Sequence, residues 1–298
     1  MTSTKMTKTL GMDIYVPQEQ LNVVHPNLSW RLTKLPPMNR VFEPQILLSI
    51  LFYILVFQVL SRLTNTFLWK SAEGFRQYRL RNLTICCLHS TLSGLIVFYF
   101  VCTRFKFVIN NPVFYNEAWQ VQVILMSVAY FIHDSIHMLK YEISRWTIEL
   151  LVHHVLTTSV LMIAVVVEKF VSFAFCSLMM EVNSIFLHLR TLFLLSGANL
   201  SNPTMFTFIK YANLVTFVLF RFISSIIQLI YVYTHSYHYR QFYFVVGYGT
   251  GVVFTLINAF LFIRVLAADG FLGDCGRRYT AINRDSDVNK SRTNGKTD

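Results

Sequence analysis

The sequence predicts an all-α protein threaded repeatedly through a membrane, and three observations carry that prediction. Apolar residues make up 54% of the 298 and charged residues only 14%, far from the usage of a soluble domain. Seven apolar runs recur along the chain, each close to the ~20 residues that cross a hydrocarbon layer. None alternates with the period of two that a lipid-facing barrel strand needs, so a bundle of about seven transmembrane helices is expected.

In order, residues 1–44 are polar, are broken by Pro17, Pro26, Pro36, Pro37 and Pro44, and read as an arm without a core of its own. Asn27-Leu-Ser29 is a glycosylation sequon, usable only on a non-cytoplasmic face. No cleavable signal stands ahead of the first apolar run, which is therefore expected to direct insertion. Residues 45–71 read as a first transmembrane helix, over 45–63, and a linker. Further runs fall at 83–103, 119–139, 147–167, 172–195, 209–233 and 242–267. The third and fifth carry polar interruptions, so a strict hydropathy count would return six. The short link Glu168-Lys169-Phe170-Val171 predicts tight antiparallel pairing of the fourth and fifth helices. Small residues at Ser90, Ser93 and Gly94, and at Gly247 and Gly251, permit close helix contact. Residues 271–298 form a polar, basic tail expected to be disordered, with Cys275 ahead of Arg277 and Arg278 as a palmitoylation candidate.

The net charge of +11 sits in loops and at the two ends and forms no stripe along a soluble face. That distribution argues against a nucleic-acid partner and for anionic lipid headgroups. Its narrow asymmetry leans toward an extracytoplasmic N-terminus and a cytoplasmic C-terminus. Cys86, Cys87, Cys102 and Cys176 lie within apolar runs, so no disulfide framework is expected.

Ionisable groups inside such runs cost several kcal/mol unless they face a protein interior or a wet cavity, so they mark the candidate site. His133 and His137 lie four apart on the third helix, with Asp134 beside them. His153 and His154 follow on the fourth, with Glu149 one turn earlier, and Glu181 comes from the fifth. A neutral imidazole beside a second imidazole and a carboxylate can accept a proton or carry an acyl group. The same groups can instead bond across helices and fix the bundle, and spacing does not separate the two readings. No metal site is expected. Of nine histidines, His25, His235 and His238 fall in polar loops, and Leu150 stands where a second His box would need its first ligand. On the fifth helix Glu181 and His188 share one stripe while Asn183 and Arg190 share another. Arg221 sits too near the middle of the sixth run to snorkel, and its spacing places it on one face with Lys210 and Gln228. It needs an internal anion, either Glu181 or a lipid or CoA phosphate.

Tyr130-Phe-Ile-His133-Asp134, then Glu149-Leu-Leu-Val-His153-His154-Val, then Met180-Glu181-Val-Asn183 through His188-Leu-Arg190, with Lys210-Tyr-Ala-Asn213 and Phe220-Arg221, resemble the TLC domain family over roughly residues 72–270. That family includes translocating-chain-associating membrane proteins and longevity-assurance ceramide synthases. Within it the chain is similar to the small TLC-domain-containing proteins that include calfacilitin and the membrane-fluidity homeostasis proteins. The resemblance implies six helices round a central lipid-accessible cavity, preceded by one further helix. In ceramide synthases the counterpart of His153-His154 is catalytic in acyl transfer from acyl-CoA, and a His-Asp-x-x-Asp segment follows. Counted without gaps, that segment falls on Met180, Glu181 and Ser184, so one acid is kept in kind while the histidine and the second acid are replaced. The resemblance therefore argues against ceramide synthesis itself.

What it implies instead is a plasma-membrane regulator of phospholipid acyl composition, with the endoplasmic reticulum as the alternative location. Such a regulator limits incorporation of long polyunsaturated chains and so promotes rigidity. Its partners would be membrane phospholipids or fatty acyl chains, and phospholipid-remodelling enzymes. On this reading His133, Asp134, His137, Glu149, Asn183, His188, Arg190 and Arg221 form a polar lipid-binding cluster. The alternative is an acyltransferase with His153, His154 and Glu181 catalytic and acyl-CoA as substrate; no resident cofactor is implied. A channel modulator is a third reading.

Overall fold

The computed structural model describes residues 8–9, 12–13, 35–110, 113, 116–141, 145–238 and 240–273. The sequon at Asn27, Cys275 and the tail beyond residue 273 lie outside them. Seven described helices are long and apolar enough to cross a membrane: α1 (Pro44–Phe67), α2 (Gly74–Asn110), α3 (Ala118–Tyr141), α4 (Arg145–Val167), α5 (Val171–Ser196), α6 (Pro203–Thr234) and α7 (Gln241–Ala268). Even α4, with 23 residues, reaches about 35 Å against a hydrocarbon thickness of about 30 Å. The chain is a multi-pass helical bundle, as its composition predicts. The strand pairing among the described residues is two residues long, Lys8–Thr9 against Met12–Asp13.

Local sequence sets the ends. Pro44 and Pro203 occupy the first turns of α1 and α6, where a missing N–H removes nothing from the helix. Gly197 closes α5 in the left-handed conformation, φ 82°. The non-helical backbone of Arg104 (φ −120°, ψ 19°) kinks α2, and the part able to cross the membrane ends there. The link from α4 to α5 turns on two left-handed residues that are not glycine, Glu168 (φ 55°) and Phe170 (φ 62°). It is held from outside. The Phe170 N–H donates to the Val113 carbonyl (2.7 Å), and Arg40 binds Glu168 (2.6 Å), Glu43 (2.7 Å) and the Val166 carbonyl (3.0 Å). Its hydrogen bonds to the Glu43 and Glu168 carboxylates hold the Arg40 guanidinium above its ordinary pKa.

The tight pairing expected between α4 and α5 holds only for the first half of α5, Val171–Ser177. At Leu178 and Met179 the backbone tightens, with Leu178 donating to Phe175, Met179 to Cys176 and Glu181 to Leu178. The second half, Met180–Ser196, then packs against α2 and α6. Gly94 makes that approach possible: a Cβ there would sit 2.9 Å from the Val182 nitrogen and 3.0 Å from the Glu181 carbonyl carbon. α1 packs mainly on α3, and Phe57, Val97, Ile124, Val128, Leu161 and Phe175 belong to the buried apolar core shared by α1 to α5.

Candidate functional site: a polar chamber inside six helices

A cavity of about 360 Å³ lies within the bundle, and its walls come from α2 to α7 with none from α1. Seven residues marked by the sequence line it: Asp134, Glu149, His153, His154, Glu181, His188 and Arg221. Apolar side chains, among them Phe131, Met138, Leu150, Leu161, Leu187 and Phe254, fill the space between them.

Most of the polar groups are already engaged. Asn82 Nδ2 donates to Asp134 Oδ1 at 2.8 Å, and His154 Nδ1 stands 3.8 Å from Asp134 Oδ2 and 3.2 Å from Ser135 Oγ. Glu181 opens the second half of α5, where the first-turn N–H groups favour a negative charge. Ser90 Oγ donates to Glu181 Oε2 at 2.6 Å, and His89 Nδ1 lies 4.0 Å from the same oxygen. Glu149 sits on the chamber wall nearest the N-terminal end of α4 and pairs with Arg264 Nη2 at 2.5 Å. His153 differs. Its ring is half-buried against Phe254 (centroids 5.1 Å), lines the chamber, and has no hydrogen-bond partner among the described residues, and the same lack of a partner holds for His188 on the α5 wall.

Arg221 corrects an expectation about charge. It sits in a π-turn, Val218–Ile223, and its guanidinium donates to Asn183 Oδ1 (2.6 Å), Asn258 Oδ1 (2.8 Å) and Ser184 Oγ (2.9 Å). Among the described residues no carboxylate lies within 4.0 Å of it. Three neutral dipoles replace the ion pair with Glu181. Asn183 is held in turn, its Nδ2 donating to the Asn213 carbonyl and Oδ1, both 3.0 Å, and to Thr216 at 3.1 Å. It therefore braces α5 against α6 and does not line the chamber.

Three other expected members also lie elsewhere. Arg190 binds Asp269 with distances of 2.5–3.0 Å, and Lys210 Nζ donates to the Asp269 carbonyl at 3.0 Å. This clasp ties α5 and α6 to the chain just after α7, so Lys210 and Arg221 serve different places despite their shared helical face. His133 and His137 point away from the chamber. Asp134 turns inward, while His133 lies against Phe57 of α1 (centroids 6.2 Å) and His137 (4.4 Å), with both ring nitrogens buried and unpartnered.

Sequence reasoning missed Asn82 and Asn258, which satisfy Asp134 and Arg221. A lone amide in an apolar run was the available signal, since it needs an interhelical partner. Ser90 reads from sequence only as a small packing residue beside Gly94, yet its hydroxyl donates to Glu181. Among the described residues no group of three His, Cys, Asp or Glu side chains could hold a metal ion.

The family model for the TLC domain matches residues 79–267, which run from the start of α2 to the end of α7. TLC domain-containing protein 2 of Mus musculus is 36% identical over 142 residues, 47% of this chain and 44% of the mouse protein. TLC domain-containing protein 1 of Gallus gallus is 32% identical over 49% of this chain and 57% of its own length, and TLC domain-containing protein 2 of Homo sapiens is 33% identical over 48% and 53%. The aligned stretch thus spans about half the length of these relatives. With the family matched over most of its length and seven helices able to cross a bilayer, the chain belongs to the TLC domain family of multi-pass membrane proteins.

Proposed function

We propose that this protein takes up the acyl portion of a membrane lipid or fatty acid in the six-helix chamber, and that this binding regulates phospholipid acyl composition in the plasma membrane. On this reading it limits entry of long polyunsaturated chains into phospholipids and keeps the bilayer more rigid, acting alongside phospholipid-remodelling enzymes. The carrying observation is the state of the chamber's polar groups: Asp134, Glu181, Glu149 and Arg221 are satisfied by neighbours, while the imidazoles of His153 and His188 face the space with no hydrogen-bond partner among the described residues. A largely apolar wall with two free imidazoles suits a long apolar ligand with one polar end.

The second reading is an acyl-CoA-dependent acyltransferase, favoured by His154 beside Asp134 at 3.8 Å in the arrangement of a base with its orienting acid. Against it, Met180 and Ser184 occupy two positions that are acid–base residues in ceramide synthases, and Ser184 is bound to Arg221. Replacing His153 and His154 together by alanine separates the readings. Phospholipid chains are profiled in cells at matched abundance, and acyl-CoA consumption is followed with purified protein. The regulator predicts a shift toward polyunsaturated phospholipids and no CoA release from either protein. CoA released by wild type and lost in the variant would establish the transferase, and an unchanged profile would remove the chamber from the function.

A further inference from the structure

A second, smaller cavity of about 70 Å³ lies between α4, α5, α6 and α7, farther along the bundle from the Glu149–Arg264 end. Its wall includes Phe170, Phe173, Tyr231, Tyr243 and Gly247 and is almost wholly apolar. Val160 belongs to the walls of both cavities. The order of residues on each helix places the two in series. α4 gives Thr157 to the chamber and Ile163 and Ala164 to the pocket; α6 gives Arg221 and then Tyr231 and Val232; α7 gives Gly247 to the pocket and Phe254 to the chamber. From Arg221 to Val232 is about 16 Å along α6, near the thickness of one hydrocarbon leaflet.

We propose that Val160 is the divider that sets how far a bound acyl chain reaches: the polar end stays in the chamber beside His153, and the methyl end passes Val160 into the apolar pocket. This rests on the acyl-binding reading and adds the residue that would determine chain length. The pocket fits nothing with a charge, since no ionisable side chain other than the two tyrosines lines it. Its depth is set by rigid rings and by the absence of a side chain at Gly247, where an added Cβ would stand 3.7 Å from Val232 and would fit. A larger side chain there fills the pocket without disturbing the chamber.

The test uses purified full-length protein and displacement of the fluorescent fatty acid cis-parinarate by saturated acids from laurate to behenate. Detergent partitioning affects every protein alike, so the ratio of variant to wild-type affinity is read at each length. Val160→Phe is expected to keep the short acids and lose the long ones, by about fourfold for each methylene shut out. Gly247→Val should give the same pattern from the other side of the pocket, and Val160→Ala should move the preference to longer acids. Equal loss at all lengths in both blocking variants, with folding verified by thermal melting, would overturn the divider while leaving acyl binding intact. Failure of wild type to bind parinarate or any of the acids would overturn the acyl-binding reading and the divider with it.

Discussion

α3 and α4 each carry a pair of histidines beside an acid or within one turn of it, and the bundle treats the pairs in opposite ways. His153 and His154 line the chamber, one free and one held by Ser135 near Asp134. His133 and His137 lie against each other outside it, rings tilted by 36°, and His133 is closed in by Phe57 without a hydrogen bond. Inclusion in an apolar run thus marks a buried imidazole but says nothing of the direction in which it is buried. On α3 it is Asp134 that takes the inward position, and His133 turns toward α1.

The comparison can be broken first at Gly94, which brings Glu181 to the chamber side of the bundle. Gly94→Val forces the α2 backbone away from Val182 and should lower stability by about 1–3 kcal/mol, visible as a lower melting temperature in detergent. A melt that matches wild type would mean that α2 and α5 approach differently. Next in size is the chamber pair: His153→Ala with His154→Ala should weaken acyl binding by about tenfold, the scale of a hydrogen bond to a charged group, in a parinarate titration. Ser90→Ala leaves the Glu181 carboxylate without its 2.6 Å donor and should cost about 1 kcal/mol in the same melting assay. The smallest effect sharpens the contrast most. His133→Phe removes two unpartnered ring nitrogens, so stability should hold or rise by up to about 1 kcal/mol with the cellular lipid profile unchanged. A lipid shift equal to that of the chamber variants would place both pairs in one function.

The helices were legible in the sequence because a bilayer imposes a length on every crossing and leaves few alternatives for the backbone. Asp134, Glu149, His153, His154, Glu181, His188 and Arg221 were legible for the related reason that charge is expensive in hydrocarbon. What escaped was carried by neutral groups and by backbone geometry. Asn82, Asn258 and Ser184 hold the buried ions in place of counter-charges, and nothing in their type separates them from other helix amides and hydroxyls. The turn at Leu178–Met179 contains neither glycine nor proline, so it left no mark, yet it detaches the second half of α5 from α4. Arg190 shares the polar pattern of the cluster in the sequence, but its partner, Asp269, lies 79 positions away just after α7.

The wide winding at Val218–Ile223 has a consequence for how this protein can vary. An ordinary α-helix over those positions would advance its phase differently. Winding the same six residues as an ordinary α-helix would swing one part of α6 by about 100° relative to the other and carry Arg221 away from Asn183, Ser184 and Asn258, whereas loss of one residue is absorbed by a return to α-helical winding. The extra residue between Phe217 and Ser224 is therefore a matched feature: it is accommodated only while the wide winding persists, and that winding sets where Arg221 meets its three partners.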